Sequence, residues 1–232
     1  MELTMFERLQ QLPLLQGMSI KDLENMVFKI RLDFKQHLAG EQIAEQDEPC
    51  RKLIFVLSGT LSVQYRNPDG SLIVTEETSA PLAIEPCSMY GMKQRFTRDY
   101  TFETDGSTLT IPKSIFMSEM MDYPIIRTNM LNMACNMMQR QTTRLMQAEP
   151  DNVTDKVIDF LSRQCTTQKG EKHFRVKMET IAEMIGETRL NVSGTLKTFA
   201  QENIIMQHRN GFKVYDFAKL SACRGKMNKQ NK

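Results

Sequence analysis

Apolar residues recur at helical spacing near both ends of the chain, and between them they fall in short runs with β character. Leu9 and Leu12, followed by Leu23, Met26, Val27 and Ile30, predict short amphipathic helices, with Ser19 placed to cap the second. From about Leu32 to Ile111 the texture changes. Leu53-Ile54-Phe55-Val56-Leu57 precedes Ser58-Gly59, Leu61 to Tyr65 precedes Asn67-Pro68-Asp69-Gly70, and Leu72-Ile73-Val74 follows. Tyr100 to Thr104 and Leu109 to Ile111 add two strands around Asp105-Gly106. Such spacing predicts hairpins in an all-β sandwich or barrel, with Asp69-Gly70 as the sharpest turn. After Pro112 the strand signals stop. Residues from about Pro124 to Ala148 contain no internal proline or glycine and predict one helix of about 35 Å. It carries two stripes, Ile126, Met130, Met133 and Met137 beside Leu131, Ala134, Met138 and Leu145. One stripe serves a domain's own core. A second implies burial on another side, here a helix-to-helix dimer seam whose methionines adapt to more than one packing; the alternative is a single core helix.

Glu149-Pro150-Asp151-Asn152 breaks the long helix, and a new amphipathic helix carries Val157, Ile158, Phe160 and Leu161, with Asn152 or Thr154 as its cap. The segment from Thr180 to Phe199 is the most informative. Ile181, Met184 and Ile185 predict one apolar face of a short helix that Gly186 ends. Thr188 caps a second helix in which Val192, Leu196 and Phe199 face inward, leaving Arg189, Leu190, Asn191, Ser193, Gly194 and Lys197 for another surface. Helix, glycine turn and capped helix make a helix-turn-helix, whose second helix presents its first residues to base edges in the major groove. Asn203 to Gln207 and Gly211 to Tyr215 then flank His208-Arg209-Asn210-Gly211, where Asn210-Gly211 matches a tight hairpin, as a two-stranded wing with Arg209 and Lys213 as phosphate contacts.

The chain has 232 residues, 41% hydrophobic and 25% charged, which suits two globular domains and excludes general disorder. Neither a signal peptide nor a membrane-length apolar run is visible, so the cytoplasm is the expected address. Net charge is +2, but residues 1–150 hold 15 basic and 19 acidic side chains, while 151–232 hold 15 and 9. A basic C-terminal third on an acidic body fits a polyanion reader attached to a regulatory module. Five scattered cysteines form no Cys-x-x-Cys pair, and His37, His173 and His208 share no ligand spacing. No metal site is expected.

These features resemble the Crp/Fnr superfamily of bacterial transcription regulators along nearly the whole chain. The resemblance rests on Gly40-Glu41, on Leu53 through Leu61, on the long helix, and on Ile181-Ala182-Glu183-Met184-Ile185-Gly186 followed by Thr188 through Lys197. It implies an α+β protein: an antiparallel β-roll of the double-stranded β-helix or jelly-roll type at residues 1–122, a long dimerisation helix and linker at 123–150, a winged helix-turn-helix at 151–222 and a basic tail at 223–232. It further implies a homodimer on double-stranded DNA with a two-fold symmetric site, a small effector, and RNA polymerase as a partner, with no membrane and no enzymatic activity.

Departures from the family pattern narrow this. Where relatives begin the recognition helix with Ser-Arg-Glu and place an arginine four residues after the glutamate, this chain has Thr188-Arg189-Leu190 and Gly194. Arg189 can still pair with guanine, but Leu190 cannot accept from cytosine, so a different half-site is expected. Gly194 costs its helix about 1 kcal/mol, which close approach of DNA or a neighbouring helix would offset. Cyclic-nucleotide binders carry Gly-Glu-Leu for the ribose and Arg-Ser/Thr-Ala for the phosphate. Here the stretches read Ala83-Ile84-Glu85-Pro86-Cys87 and Arg95-Phe96-Thr97. Glu85, Arg95 and Thr97 are the effector candidates, with ordinary surface charge as the alternative, and cyclic AMP is not expected. The N-terminal cysteine cluster of the oxygen-sensing branch is missing, and the cofactor is unknown; a haem needs one axial histidine or methionine, with no residue here pointing to it. A protein adaptor with a ligand-binding module is the competing function, and a cupin-like enzyme ranks last because clustered histidine and carboxylate ligands are lacking.

Overall fold

A computed structural model describes residues 5–30, 32–146, 148 and 150–225. The basic tail expected from 223 onward lies mostly outside them. The chain forms two compact units, one of 1–62 with 78–147 and the other of Val63–Glu77 with Ala148–Lys232.

In the first unit, α1 (Met5–Gln10) and α2 (Ile20–Lys29) lead into β1 (Asp33–His37), β2 (Gln42–Ala44), β3 (Lys52–Ser58) and the start of β4 (Thr60–Arg66). The Ser19 hydroxyl caps α2 by accepting from the Asp22 amide at 3.1 Å. β5 (Leu72–Ser79) belongs mostly to the second unit, and β6 (Leu82–Ile84), β7 (Asp99–Phe102) and β8 (Gly106–Pro112) complete the strands of the first. One sheet runs β1-β8-β3-β6, antiparallel throughout. β2 pairs with β7. The run 53–56 in β3 is buried on both faces, which is why it reads as continuous apolar sequence and not as an alternation. α3 (Lys113–Ser118) and α4 (Pro124–Met146) follow.

Only the first turns of α4 are packed. Ile126 and Met130 are buried within this unit, and Asn129 Nδ2 donates to the carbonyls of Leu14 and Gln16 at 3.1 and 2.8 Å. The first stripe is thus divided along the helix, and the second is uncovered. Leu131, Met137, Met138 and Leu145 are 64, 49, 63 and 85% exposed, Ala134 is exposed, and Met133 is half-buried.

The second unit builds on α5 (Val153–Gln164), β9 (Lys172–Val176), α6 (Met178–Ile185), α7 (Arg189–Gln201), β10 (Ile205–His208), β11 (Gly211–Val214) and α8 (Phe217–Ser221). Asn152, not Thr154, caps α5 by accepting from the Asp155 amide at 2.7 Å. Val157, Ile158, Phe160 and Leu161 fill the core beneath α7, each contributing roughly 1.5–3 kcal/mol of burial. Strands run β10-β11-β9-β5, so residues 72–76, which read in sequence as part of the N-terminal strands, here extend the C-terminal sheet.

Candidate nucleic-acid interface

Gly186 adopts φ +66° and ends α6, as its lack of a Cβ permits. Thr188 then opens α7: its Oγ1 accepts from the Asn191 amide at 3.2 Å. Val192, Leu196 and Phe199 anchor α7 in the core at 0, 1 and 0% exposure. Lys156 of α5 reaches the turn between the two helices, with Nζ 2.7 Å from Glu187 Oε1. That bond, together with one from Asn191 Nδ2 at 3.2 Å, holds the Glu187 carboxyl below its ordinary range.

With α7 held this way, its first turn stands clear. Thr188, Arg189, Leu190, Asn191, Gly194 and Lys197 are exposed, Leu190 at 81%. Ser193 is half-buried at the margin. Among the described residues a Cβ built on Gly194 meets nothing within 4 Å, so no neighbouring helix among them accounts for this glycine. Arg189 is not idle: its Nε lies 2.8 Å from Glu179 Oε1 on α6, a pair that is 69 and 54% exposed and therefore of little net strength. Glu179 has no signal in the sequence, because its relevance comes only from the crossing of α6 and α7. Met184, expected on the inner face of α6, is instead 52% exposed, since the short helix buries only Ile181 and Ala182 fully.

Beside α7, β10 and β11 pair from Ile205↔Val214 to His208↔Gly211. The turn residues are thus Arg209 and Asn210, with Gly211 already in the strand. Gly211 is needed for close approach: a Cβ there would lie 1.9 Å from the Phe174 carbonyl oxygen. Arg209 projects from the tip, exposed. Lys213 turns toward β9, where its Nζ is 2.6 Å from Glu171 Oε1 and 5.8 Å from the Tyr215 ring centre. A polar cleft of about 170 Å³ separates wing from helix and is lined by Glu179, Arg189, His208, Arg209 and Asn210 among others. The exposed edge of α7 and the basic wing tip thus lie on either side of this cleft.

In the first unit two of the effector candidates, Glu85 and Thr97, are bonded to each other, while Arg95 is bonded elsewhere. The Glu85 carboxylate accepts from Ser88 Oγ, the Thr97 amide, Thr97 Oγ1 and Tyr100 OH at 2.8, 2.8, 2.9 and 3.0 Å. It is an internal tether and not an ordinary surface charge. Arg95 is exposed and donates to the Asp47 carbonyl. A surface cleft of about 430 Å³ lies elsewhere in the unit, against Cys50, Gln94, Lys113 and Met117, and none of Glu85, Arg95 or Thr97 lines it. His37 is buried with Nε2 2.8 Å from Thr108 Oγ1 and Nδ1 2.9 Å from Glu41 Oε1. Among the described residues no group of three or more histidine, cysteine or acidic side chains is arranged to hold a metal. No helix among them is long and apolar enough to cross a membrane.

Residues 155–223 match the family of Crp-like helix-turn-helix domains, a stretch that runs from within α5 through α8. The C-terminal part of the chain is thus a Crp-like helix-turn-helix domain. Solved structures agree in fold: the catabolite activator protein of Thermus thermophilus, 16% identical, aligns over 90% of this chain and 96% of its own with a TM-score of 0.52. A Eubacterium rectale protein assigned to the Crp/Fnr transcriptional regulators, 19% identical, covers the same shares at 0.52. A comparison with curated protein sequences returns no match. The strand-rich N-terminal region, the long helix and the C-terminal helix-turn-helix thus make the same α+β fold as these solved structures.

Proposed function

We propose that this chain is a Crp/Fnr-type DNA-binding transcription regulator that acts as a homodimer on a two-fold symmetric operator and answers to a small effector other than cyclic AMP. The observation that carries the reading is the uncovered first turn of α7, capped by Thr188 and anchored by Val192, Leu196 and Phe199, with basic Arg209 beside it. Arg189 is the base reader. Its guanidinium leaves Glu179 for the O6 and N7 of a guanine, a bidentate match worth about 1–3 kcal/mol of discrimination. Thr188, Asn191, Ser193 and Lys197 line the same edge; Leu190 offers apolar contact to a thymine methyl, and Gly194 lets the helix backbone approach the duplex. Arg209 meets phosphate from the wing tip, and Lys213 does so only after leaving Glu171.

Dimerisation through the far part of α4 supports the symmetric site. Leu131, Ala134, Met137, Met138 and Leu145 form the seam, with Met133 at its edge, while Ile126 and Met130 serve the protein's own core. Two recognition helices then meet successive major grooves about 34 Å apart. Arg95 and Thr97 are the effector contacts, and Glu85 holds the Thr97 backbone for them. Contact with RNA polymerase completes the reading.

Selection of bound duplexes from a random pool tests it. The expected product is an inverted repeat whose affinity falls steeply with salt and which loses guanine preference at one position per half-site in Arg189→Ala. Recovery of no preferred sequence, or unchanged preference in Arg189→Ala, overturns the reading.

A further inference from the structure

Within the second unit, β5 adds to the free edge of β9 in a five-residue antiparallel register, from Leu72↔Val176 to Glu76↔Lys172. Leu72 and Val74 alternate inward and join the core of α5, Phe174 and Phe212. The next inward position by the same alternation is Glu76, where an apolar residue is the ordinary choice. Its carboxylate instead meets Lys172 Nζ at 2.6 Å, the two side chains 2 and 1% exposed. The amide of Thr166 donates to Glu76 Oε1 at 2.8 Å, the Thr166 hydroxyl donates to it as well, and Thr167 Oγ1 accepts from Lys172 at 2.7 Å.

We propose that the edge of β9 is the docking surface for the β4–β5 hairpin, and that this docking, bolted by Glu76 and Lys172, reversibly completes and stiffens the DNA-reading domain. The inference rests on the DNA-reading function above. Two features point to a reversible device and not to a permanent part of the core. Residues 63–77 are joined at both ends to chain of the other compact unit, so a change there is transmitted to the hairpin covalently. The bolt is also ionic. A buried pair holds only while both partners are in place, and once the strand lifts both charges regain water, which lowers the cost of release below that of an apolar pair. Release uncovers one side of Phe174, against which Phe212 of the wing stacks at 5.2 Å, and so loosens β10 and β11. Docked is therefore the DNA-competent form, and the apparent affinity scales with the docked fraction.

The test uses the full chain. Glu76→Gln keeps the shape but leaves the Lys172 charge buried and unmatched, which shifts docking by roughly 100-fold or more. Amide exchange in residues 172–176 and 205–214 is expected to rise by at least about tenfold, with α5 protection retained, and affinity for the selected duplex to fall on the order of tenfold. Glu76→Leu/Lys172→Met, which replaces the bolt by an apolar pair, restores both. Thr75→Cys/His173→Cys places thiols on directly opposed residues, within disulfide reach. Its oxidised form is expected to slow wing exchange relative to its reduced form and to rescue Glu76→Gln. Wing exchange that is equal in Glu76→Gln and wild type, or equal in the oxidised and reduced cross-link variant, overturns the proposal. If the wild-type chain prefers no duplex, the DNA reading fails, and the exchange measurements alone decide the hairpin's role.

Discussion

Gly194→Ala and Gly211→Ala make the same chemical change on neighbouring elements and should move stability in opposite directions. Gly194 sits inside α7 with open space where its Cβ would be. Alanine there gains the helix-propensity difference of about 1 kcal/mol without any clash. For a unit of roughly 100 residues that corresponds to a rise in the melting midpoint of about 4–8 °C. At Gly211 the added carbon would stand 1.9 Å from the Phe174 carbonyl oxygen and 2.9 Å from Arg175 Cα, both backbone atoms of the paired strand. Relief requires β11 and β9 to part by about 1 Å, enough to break ladder bonds around Gly211↔Arg175. With about 1–3 kcal/mol for each buried backbone group left unmatched, a loss of about 3 kcal/mol or more is expected. Scanning calorimetry or a denaturant titration of the C-terminal transition measures both. If Gly194→Ala destabilises, α7 does not stand clear at that position; if Gly211→Ala is neutral, the wing does not lie on β9 as described. Either result would undo the reasoning on which the interface depends.

Further expectations follow from the same contacts. Leu131→Lys/Met138→Lys should convert a dimer to a monomer in sedimentation and reduce affinity for an inverted repeat toward that for a half-site; an unchanged dimer would place the seam elsewhere. The Glu76 carboxyl lies below its ordinary value of 4.5, since burial pushes it up but the bonds from Lys172 and Thr166 outweigh that. Because its folded value is depressed, its contribution is complete above about 4.5 and is lost as pH falls through the lowered value. Denaturant midpoints measured down to acid pH should show this loss in wild type and a flatter profile in Glu76→Gln; parallel profiles would refute it. Burial, aided by the charge of Glu85, pushes the Cys50 thiol up to about 11. At neutral pH its thiolate is then a negligible fraction, so iodoacetamide labelling of Cys50, read by peptide mass, should be slow at neutral pH and rise steeply as pH approaches about 11; a rate already level by pH 9 would refute it.

The pattern of apolar positions is enough to define most local elements. The Ser19 and Thr188 caps, the turn at Gly186, the inward triplet Val192, Leu196 and Phe199, and the uninterrupted run from Pro124 all depend on neighbours within a few residues, and periodicity reports such neighbours directly, whereas the choice of Asn152 over Thr154 as the cap of α5 came from the structure. The exposed edge of α7 was legible for the same reason. What the three-dimensional arrangement alone decided involves residues far apart in the chain. Periodicity gives two stripes on α4 but cannot say that Ile126 and Met130 belong to the protein's own core, because that depends on what packs beside them. Glu85 has the charge and position of a ligand contact, yet Ser88, Thr97 and Tyr100 consume its acceptor sites. Glu179 gains meaning from a helix crossing, and Glu76 meets Lys172 across 96 residues of sequence. Local pattern governs which face of a segment turns inward; which partner waits there is settled by closing long loops, and that partner sets the charge, burial and freedom of each functional side chain.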